Sequence, residues 1–401
     1  MTSVTSVVEQ PDYRTFDITG SHTQLGYGLG QADPPFKMQF WWSPPPLMAF
    51  ADSCSDVVHD LHPHLRDELD AYADAQHLNT RELWQMCCRV NLKARVKVSD
   101  VTHIERPRRS AERIEGVPYR VDGTTEGCST FVCFISPAPQ GQDGNPGSHV
   151  IVGRNYDYLP QQVRRQRIRF VPDCLTIASI GARGGVPGGR YDGINAHGLF
   201  ASLHVVMTDT PSEDEVKPGV PFHLIARIVL ETCQTAHEAV DVLTRLPHLS
   251  SLNYLLADAT DAFVVEADPR CVRIIERESN VLAATNHYRH PDMRPLQGNR
   301  AFTNSESRLS FLSSSQSSAQ YGASSQHVTA CVPASRCVDH GSINDMLDYA
   351  ETTMADRTAP MCGTSGALTT LWSCVAELTT RRIRYAAGAP GLVSFDEIPT
   401  L

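Results

Sequence analysis

The sequence predicts an α+β fold in which antiparallel sheets are sandwiched between helices. Apolar runs with strand character come in pairs joined by short loops, which is typical of antiparallel sheets. Helical stretches stand apart from these pairs instead of alternating with single strands, so we expect them to pack on the faces of the sheets. Because there is no regular strand–helix–strand alternation, a dinucleotide-binding fold is disfavoured.

Up to about residue 90 the pattern is mostly helical. Asn79 and Glu82 have the spacing of a capping box, in which the Asn side chain accepts from free N–H groups and the Glu side chain reaches back. An apolar stripe at helical spacing follows, and an earlier helix shows a similar stripe formed by Leu61, Leu65, Leu69 and Tyr72. Residues 103–122 are charged and poorly periodic and indicate an exposed linker.

After the linker, short apolar runs rich in β-branched and aromatic residues predict strands. Residues 140–148 are rich in Gly, Asn, Asp and Pro and indicate a hairpin loop. A long helical signal covers residues 222–246. The predicted strands are 129–136, 149–152, 163–170, 175–180, 251–257, 262–266, 368–376 and 382–385.

Composition and charge exclude several classes of protein. The chain has 401 residues and a net charge of −10, and this acidic balance argues against a general nucleic-acid binder, which needs a basic face. No apolar run approaches the ~20 residues of a bilayer span. The start of the chain lacks the features of a secretory signal, so we expect a cytoplasmic protein with reduced thiols. The 12 cysteines include no CxxC pair, which makes a structural zinc site improbable.

Cys128 is a candidate nucleophile because it follows Gly127 at the start of the first β-run. A structural cysteine usually lies inside such a run, as Cys133 does, whereas this position suits an N-terminal nucleophile released by self-cleavage. The thiol would attack the Gly127 carbonyl, and hydrolysis of the resulting thioester would leave Cys128 with a free α-amine. With a reference pKa near ~8, that amine can act as the base for its own thiol. The alternative is a capping or core cysteine.

Arg154 and Asp157 lie three residues apart, just after the next predicted strand. A hairpin would bring them beside Cys128, where Arg154 could lower the thiol pKa and Asp157 could hold the α-amine. The alternative is a surface ion pair at the end of a strand. Further along, the Asn286 amide is a candidate oxyanion donor, although a turn asparagine is the simpler interpretation. His287 invites a catalytic role, but a nucleophile that carries its own amine needs no imidazole.

Taken together, the motifs resemble those of the N-terminal-nucleophile (Ntn) acyltransferases typified by the acyl-CoA:6-aminopenicillanic acid acyltransferase family. More distantly, the chain is similar to the choloylglycine hydrolases, which comprise bile salt hydrolases and penicillin V acylases. Each motif is weak alone, but they follow one another in family order. The matching segments are residues 20–30, 78–81, 126–130, 153–157, 191–199, 251–258, 264–266, 285–287, 305–309 and 369–373.

The resemblance implies a four-layer αββα sandwich of two antiparallel sheets, made as one precursor. Residues 1–127 would form a helical pro-segment, kept as the α chain, and residues 128–401 the catalytic β chain, with the two chains remaining associated. The implied site is Cys128 as nucleophile, Asp157 on the α-amine, Asn286 in the oxyanion hole, and Arg154 and Arg308 nearby.

His204 falls near the position where the hydrolases have an oxyanion Asn, and this departure puts the second oxyanion donor in doubt. His204, Asn155 and His287 are therefore candidate oxyanion or substrate contacts. The implied reaction is cleavage or transfer at a linear amide of a small molecule, with an acyl-CoA or another thioester as a candidate acyl donor. No metal or organic cofactor is implied. Two alternatives stay open: an uncleaved binding protein on the same fold, and an unprocessed Cys-His hydrolase using His287 or His204.

Overall fold

The computed structural model describes residues 13–35, 45–91, 127–135, 148–158, 165–184, 186–212, 215–313, 342–357, 361–363 and 369–401. The linker predicted at 103–122 and most of the loop predicted at 140–148 lie outside these ranges. Within them, no helix has both the length and the apolar character needed to cross a membrane.

The described residues form two sheets and eight α-helices. The strands are β1 (Thr15–Gly20), β2 (Ser129–Ile135), β3 (His149–Tyr158), β4 (Arg167–Pro172), β5 (Ser179–Arg183), β6 (Arg190–Asn195), β7 (Phe200–Val205), β8 (Leu252–Ala257), β9 (Ala262–Asp268), β10 (Cys271–Glu276), β11 (Val281–Ala284), β12 (Thr369–Glu377), β13 (Arg382–Ala386) and β14 (Phe395–Ile398). The helices are α1 (His22–Ala32), α2 (Pro45–Leu61), α3 (Pro63–Ala75), α4 (Thr80–Asn91), α5 (Phe222–Thr232), α6 (Ala236–Arg245), α7 (Thr303–Ser313) and α8 (Ile343–Met354).

The N-terminal helices begin where local side chains satisfy free backbone N–H groups. Ser21 and Gln24 form a capping box at the start of α1. Oδ1 of Asn79 accepts from the N–H of Arg81 at the start of α4, which is the Asn79 half of the predicted capping box. Helices α1 and α3 touch closely at Gly26, because a Cβ there would lie 2.0 Å from the carbonyl oxygen of Glu68.

The eight-stranded sheet has the order β1-β4-β5-β6-β7-β8-β9-β10, and the six-stranded sheet has the order β11-β2-β3-β12-β13-β14. Neighbouring strands are antiparallel except for β1 and β4, which run parallel. β1 lies in the part of the chain that the pattern predicts as mostly helical. Its short alternation of partly buried and exposed residues is typical of an edge strand.

The layers follow the order helix, sheet, sheet, helix. Helices α5 and α6 pack on the eight-stranded sheet, and α7 and α8 pack on the six-stranded sheet. The main core lies between the sheets and includes Val132 and Ile194. A second apolar cluster, with Phe131, Leu312 and Met354, joins the six-stranded sheet to α7 and α8. The predicted αββα sandwich is confirmed.

Candidate active site

The candidate site lies at the open end of the β2–β3 hairpin. In this antiparallel pair Ser129 lies opposite Asn155. The start of β2 and the end of β3 therefore lie side by side at the same end of the sheet, which brings Cys128 beside Asp157. This is the arrangement that the spacing in the sequence predicts.

Cys128 is only 5% exposed. Its Sγ lies 4.0 Å from the carbonyl oxygen of Asp157, and its own carbonyl oxygen accepts a hydrogen bond of 2.6 Å from Nη1 of Arg308. Burial raises the pKa of the thiol to about 11, while the positive charge of Arg154 acts in the opposite direction. In the intact chain the thiol is therefore protonated at neutral pH, and a base must remove the proton before the sulfur can attack a carbonyl.

Asp157 lies directly against Gly127. A side chain at position 127 has no room, because a Cβ there would be 2.4 Å from Oδ2 of Asp157. Oδ1 of Asp157 accepts a hydrogen bond of 2.6 Å from Oγ1 of Thr370. Burial raises the pKa of the Asp157 carboxyl to about 7, against the opposing effects of Thr370 and Arg308. An α-ammonium group formed at this place would lower that pKa again.

We expect the raised Asp157 pKa to make the intact chain less stable as the pH rises. The folded-state pKa is about 7 and the ordinary value is 3.8, so stability falls between these values and then levels off. In a Cys128→Ala background, Asp157→Asn should abolish this loss. Between about pH 5 and pH 8, the free energy of unfolding of the Asp157→Asn variant should therefore rise by roughly 3 kcal/mol relative to that of the chain that keeps Asp157. Urea unfolding measures the change. Asp173→Asn, at an exposed carboxylate, is the control, and equal pH slopes with Asp or Asn at position 157 would contradict the assignment.

Arg154 does not pair with Asp157 but crosses to the other sheet. Its Nε donates to Oδ2 of Asp192 at 2.7 Å, its Nη1 to Oγ1 of Thr130 at 3.1 Å and its Nη2 to the carbonyl oxygen of Leu203 at 2.9 Å. Arg154 and Asp192 are both fully buried, so the alternative of a surface ion pair does not hold. The arginine carries a fixed positive charge into the space beside the Cys128 thiol.

Asn286 and Arg308 form the other side of the site. Nη2 of Arg308 donates to Oδ1 of Asn286 at 3.1 Å, and its Nη1 also donates to Oγ of Ser129 at 2.7 Å. Because a guanidinium can only donate, the Asn286 atom that faces it is the carbonyl oxygen, and the amide nitrogen points away. One N–H of this amide donates to the carbonyl oxygen of Val205 at 2.9 Å. Its second N–H has no hydrogen-bond partner among the described residues, so it can donate to an oxyanion.

His204 is buried and has both ring nitrogens engaged. Nε2 lies 2.8 Å from Oγ1 of Thr130 and 3.3 Å from Nη1 of Arg154, while Nδ1 lies 3.2 Å from the carbonyl oxygen of Asn253. Since Arg154 can only donate, Nε2 is an acceptor and the proton sits on Nδ1. Burial and the charge of Arg154 hold the imidazole pKa well below its usual value. Neutral His204 thus orients Thr130 and Arg154, and the structure does not place an N–H of His204 toward an oxyanion.

The other two candidate contacts also have structural partners. The Asn155 amide nitrogen donates to the carbonyl oxygens of Met354 and Met361 at 2.8 and 2.6 Å, so it anchors the segment that follows α8. Nδ1 of His287 lies 2.7 Å from Oγ of Ser305. Burial lowers the pKa of His287 to about 4. The structure does not bring Asn155 into the cluster, and it places neutral His287 at the border of the site.

Several residues that complete the site were not among the candidates predicted from the sequence. Asp192 accepts hydrogen bonds from Nε1 of Trp372 at 2.8 Å and from the Tyr385 hydroxyl at 2.9 Å, besides its bond from Arg154. The Tyr156 ring stacks on Trp372 with a centroid separation of 4.0 Å. Asp192 lies within residues 191–199, a segment that carries part of the family resemblance, and this is the signal in the sequence that could have pointed to it.

A shallow depression of about 340 Å³ borders the site at His287. Its lining includes three arginines, Arg289, Arg294 and Arg300, and the carboxylate of Glu306. Nη2 of Arg289 is buried and has no hydrogen-bond partner among the described residues. Arg300 is paired with Asp209 at 2.6 Å. Arg289 and Arg294 therefore supply the excess of positive charge over Glu306 in this depression.

A family model described as acyl-coenzyme A:6-aminopenicillanic acid acyl-transferase matches residues 144–329. The matched range contains Arg154, Asp157, Asn286 and Arg308, whereas Cys128 precedes it. This match confirms the predicted resemblance to that acyltransferase family over the matched residues. No curated protein matches the chain.

Three similar solved structures have low identity and low TM-scores. An N-acylethanolamine-hydrolyzing acid amidase ortholog from Caenorhabditis elegans has 14% identity and a TM-score of 0.35, with coverage of 62% of this chain and 92% of that chain. A mutant conjugated bile acid hydrolase from Clostridium perfringens has 12% identity and a TM-score of 0.36, with coverage of 68% and 97%. A penicillin V acylase from Agrobacterium tumefaciens has 18% identity and a TM-score of 0.31, with coverage of 66% and 76%.

Proposed function

We propose that this protein is a self-processing cysteine Ntn hydrolase or acyltransferase that acts on a linear amide of a small molecule through a thioester on Cys128. One observation carries the proposal. Three groups from separate parts of the chain lie around the Gly127–Cys128 junction: Asp157 packs against Gly127, Arg308 donates to the Cys128 carbonyl oxygen, and the same guanidinium donates to Asn286. A merely structural cysteine does not require a buried carboxyl and a buried guanidinium beside it, with an amide held by the same guanidinium.

The first reaction is cleavage of the chain. The Cys128 sulfur attacks the Gly127 carbonyl carbon, the C–N bond breaks, the acyl group moves from nitrogen to sulfur, and the proton lost by the thiol ends on the departing α-nitrogen. Water then hydrolyses this thioester to a Gly127 carboxylate and the free thiol. The released α-amine lies beside the Asp157 carboxylate, and the two opposite charges stabilise each other.

The second reaction repeats the chemistry on a substrate. The α-amine takes the thiol proton, and the thiolate attacks the amide carbonyl. The free N–H of Asn286 stabilises the oxyanion, and the α-ammonium returns the proton to the leaving amine. Water resolves the thioester in a hydrolase, and a second amine resolves it in an acyltransferase. None of these steps calls for a metal or an organic cofactor.

Arg154 and Arg308 have different tasks in this mechanism. Arg154 is the positioning charge beside the thiol, because its electrostatic effect favours the thiolate. The Arg308 guanidinium bridges two acceptors, the Cys128 carbonyl oxygen and Oδ1 of Asn286. It therefore sets the position of the nucleophile relative to the oxyanion donor.

Two surfaces support a small-molecule substrate with an apolar and an anionic part. The stacked rings of Tyr156 and Trp372 lie in the same core cluster as Cys128 and offer an apolar wall for an acyl group. The arginine-lined depression offers a place for a carboxylate or for the phosphates of an acyl-CoA.

Association of the two chains after cleavage has support in contacts that cross position 127. Asp33 pairs with Arg183, Glu68 pairs with Arg227, and β1 pairs with β4. Both ion pairs are buried, so separation of the chains would leave unpaired charges.

The proposal is tested first by the intact mass of the denatured, purified protein. We expect two chains of 127 and 274 residues, the longer one beginning with Cys128. Hydrolysis of a series of alkyl and aryl N-acyl 4-nitroanilides would then report turnover. A wild-type chain that stays whole under native conditions would overturn self-processing and favour the binding protein. Activity in the uncleaved chain would favour the Cys-His hydrolase, although, within the part of the chain that the structure describes, Sγ of Cys128 faces a carbonyl oxygen and not an imidazole.

Asn286→Ala should lower kcat by about 10²- to 10³-fold, the effect of losing one oxyanion donor. KM should change little, because this N–H is expected to bind mainly the transition state. Asn280→Ala, at an exposed position just before β11, is the matched control. Cleaved Asn286→Ala protein with the wild-type kcat would remove Asn286 from the oxyanion hole.

A further inference from the structure

A second cluster of reactive side chains, separate from the proposed nucleophile, is formed by His22, His64 and Cys174. His22 begins α1, His64 lies in the first turn of α3, and Cys174 follows β4. One ring nitrogen of each histidine and the cysteine sulfur all lie within 4.8 Å of one another. His22 and His64 stack with a centroid separation of 5.4 Å. The proposed amide chemistry uses none of these three residues.

The hydrogen bonds of His22 direct a lone pair into this cluster. Nε2 of His22 lies 2.9 Å from Oε2 of Glu231, which also forms a buried ion pair with Arg227. The carboxylate can only accept, so the proton of a neutral His22 ring sits on Nε2. The unprotonated Nδ1 then faces Sγ of Cys174 at 3.9 Å.

His62, which also contacts Glu231, is unsuited to the same role. Its Nδ1 accepts a hydrogen bond of 3.1 Å from the N–H of Leu65 at the start of α3. The ring proton must therefore lie on Nε2, which points 3.0 Å from Oε2 of Glu231. With one nitrogen capping a helix and the other donating, His62 has no lone pair left for an ion. The ligand set is limited to His22, His64 and Cys174.

We propose that His22, His64 and Cys174 bind a Zn²⁺ ion. Imidazole and thiolate are the ligands that zinc prefers, and a tetrahedral ion would place nitrogen and sulfur about 3.6 Å apart. The observed 3.9 Å between His22 and Cys174 needs only a small adjustment. The His64 side chain is 44% exposed, so it can turn toward the ion and leave an entry path from solvent. A fourth position remains for water.

The surroundings match those of metal-binding histidines. A ligating imidazole usually donates its other N–H to a carboxylate, which orients the ring. Glu231 supplies this carboxylate to His22, and Asp67 lies 3.6 Å from Nδ1 of His64. Two ligands precede position 127 and one follows it. A bound ion would therefore connect the N-terminal helices to the loop after β4, whether or not the chain is cleaved.

The test uses full-length protein, stripped with a chelator and titrated with Co²⁺ and then Zn²⁺. We expect one Co²⁺ per chain with a sulfur-to-cobalt charge-transfer band in the near ultraviolet, displaced by one equivalent of Zn²⁺. Cys174→Ser should abolish the band, and His64→Gln should weaken binding at least ~10-fold, since a ligand should matter no less than its supporting groups. Zn²⁺ should raise the Tm of the wild type but not that of Cys174→Ser.

Cys271→Ser and His59→Gln are matched controls, because they remove a partly exposed thiol and an exposed imidazole outside the cluster. Both should keep the band and the wild-type affinity. Absence of the band in the wild type, or equal Co²⁺ affinity in the wild type and Cys174→Ser, would overturn the proposal. Neither result would affect the assignment of Cys128, because the readout is metal binding and not cleavage or turnover.

Discussion

Replacing Cys128 by alanine is expected to yield a single chain of 401 residues without amide-cleaving activity. The substitution removes the atom that attacks both the Gly127 carbonyl and the substrate carbonyl, so both reactions stop together. Loss of a nucleophile should reduce turnover by at least about 10³-fold. Because Cys128 is small and buried, alanine should be accommodated with little loss of stability. Intact mass and nitroanilide hydrolysis measure the two effects.

Cys133→Ala is the matched control for this experiment. Cys133 is a buried cysteine within β2, the strand that Cys128 precedes, but it lies in the cluster that faces α7 and α8 instead of the space between the sheets. We expect the Cys133 variant to cleave and turn over normally. A cleaved and active Cys128→Ala protein would reject the nucleophile, and an intact Cys133→Ala protein would show that cleavage responds to any change in β2.

Arg154→Met should be the most destabilising of the substitutions considered. It leaves the fully buried Asp192 carboxylate without its ion-pair partner, and breaking such a pair typically costs 3 to 5 kcal/mol, or about 4 kcal/mol here. Urea unfolding in the Cys128→Ala background compares uncleaved chains. In a chain that retains Cys128, alkylation at fixed pH should also slow, because the Arg154 charge lowers the pKa of that thiol.

Two further variants separate the ion pair from general packing. Arg154→Met combined with Asp192→Asn removes both charges and should recover a large part of the lost stability. Arg81→Met removes an exposed arginine that pairs with Asp52 at the surface, and it should change stability little. If Arg154→Met unfolds at the same urea concentration as its parent, the buried pair contributes no stability and its role is limited to the thiol.

The local pattern predicts the elements on which the site is built. The glycine before Cys128, the turn residues of 140–148 and the apolar runs on either side predict the β2–β3 hairpin, and the hairpin alone brings Cys128 to Asp157. By contrast, β6, β7 and β11 do not follow from apolar periodicity. β6 is buried along its whole length although it contains Arg190, Asp192 and Asn195. Buried polar residues hide such a strand from a pattern based on alternation.

The role of a side chain depends on partners that are far away in the sequence. Spacing suggests that Arg154 joins Asp157, yet a strand sends residues three apart to opposite faces, and Arg154 meets Asp192 instead. Similarly, the sequence suggests that His204 and Asn155 contact substrate, but in the structure their side-chain nitrogens form hydrogen bonds within the protein. Position along the chain does not reveal whether an N–H is free or already used.

The sequence by itself determined the fold class, the family resemblance and the Gly127–Cys128 junction, because each depends on local patterns and short motifs. Only the tertiary structure decided that Arg308 joins Cys128 to Asn286, and that His22, His64 and Cys174 meet in one place. The absence of a CxxC pair argued against zinc, but ligands can also come from distant segments. Whether such ligands lie close together depends on how the helices and sheets pack, and this packing depends on contacts between residues far apart in the sequence.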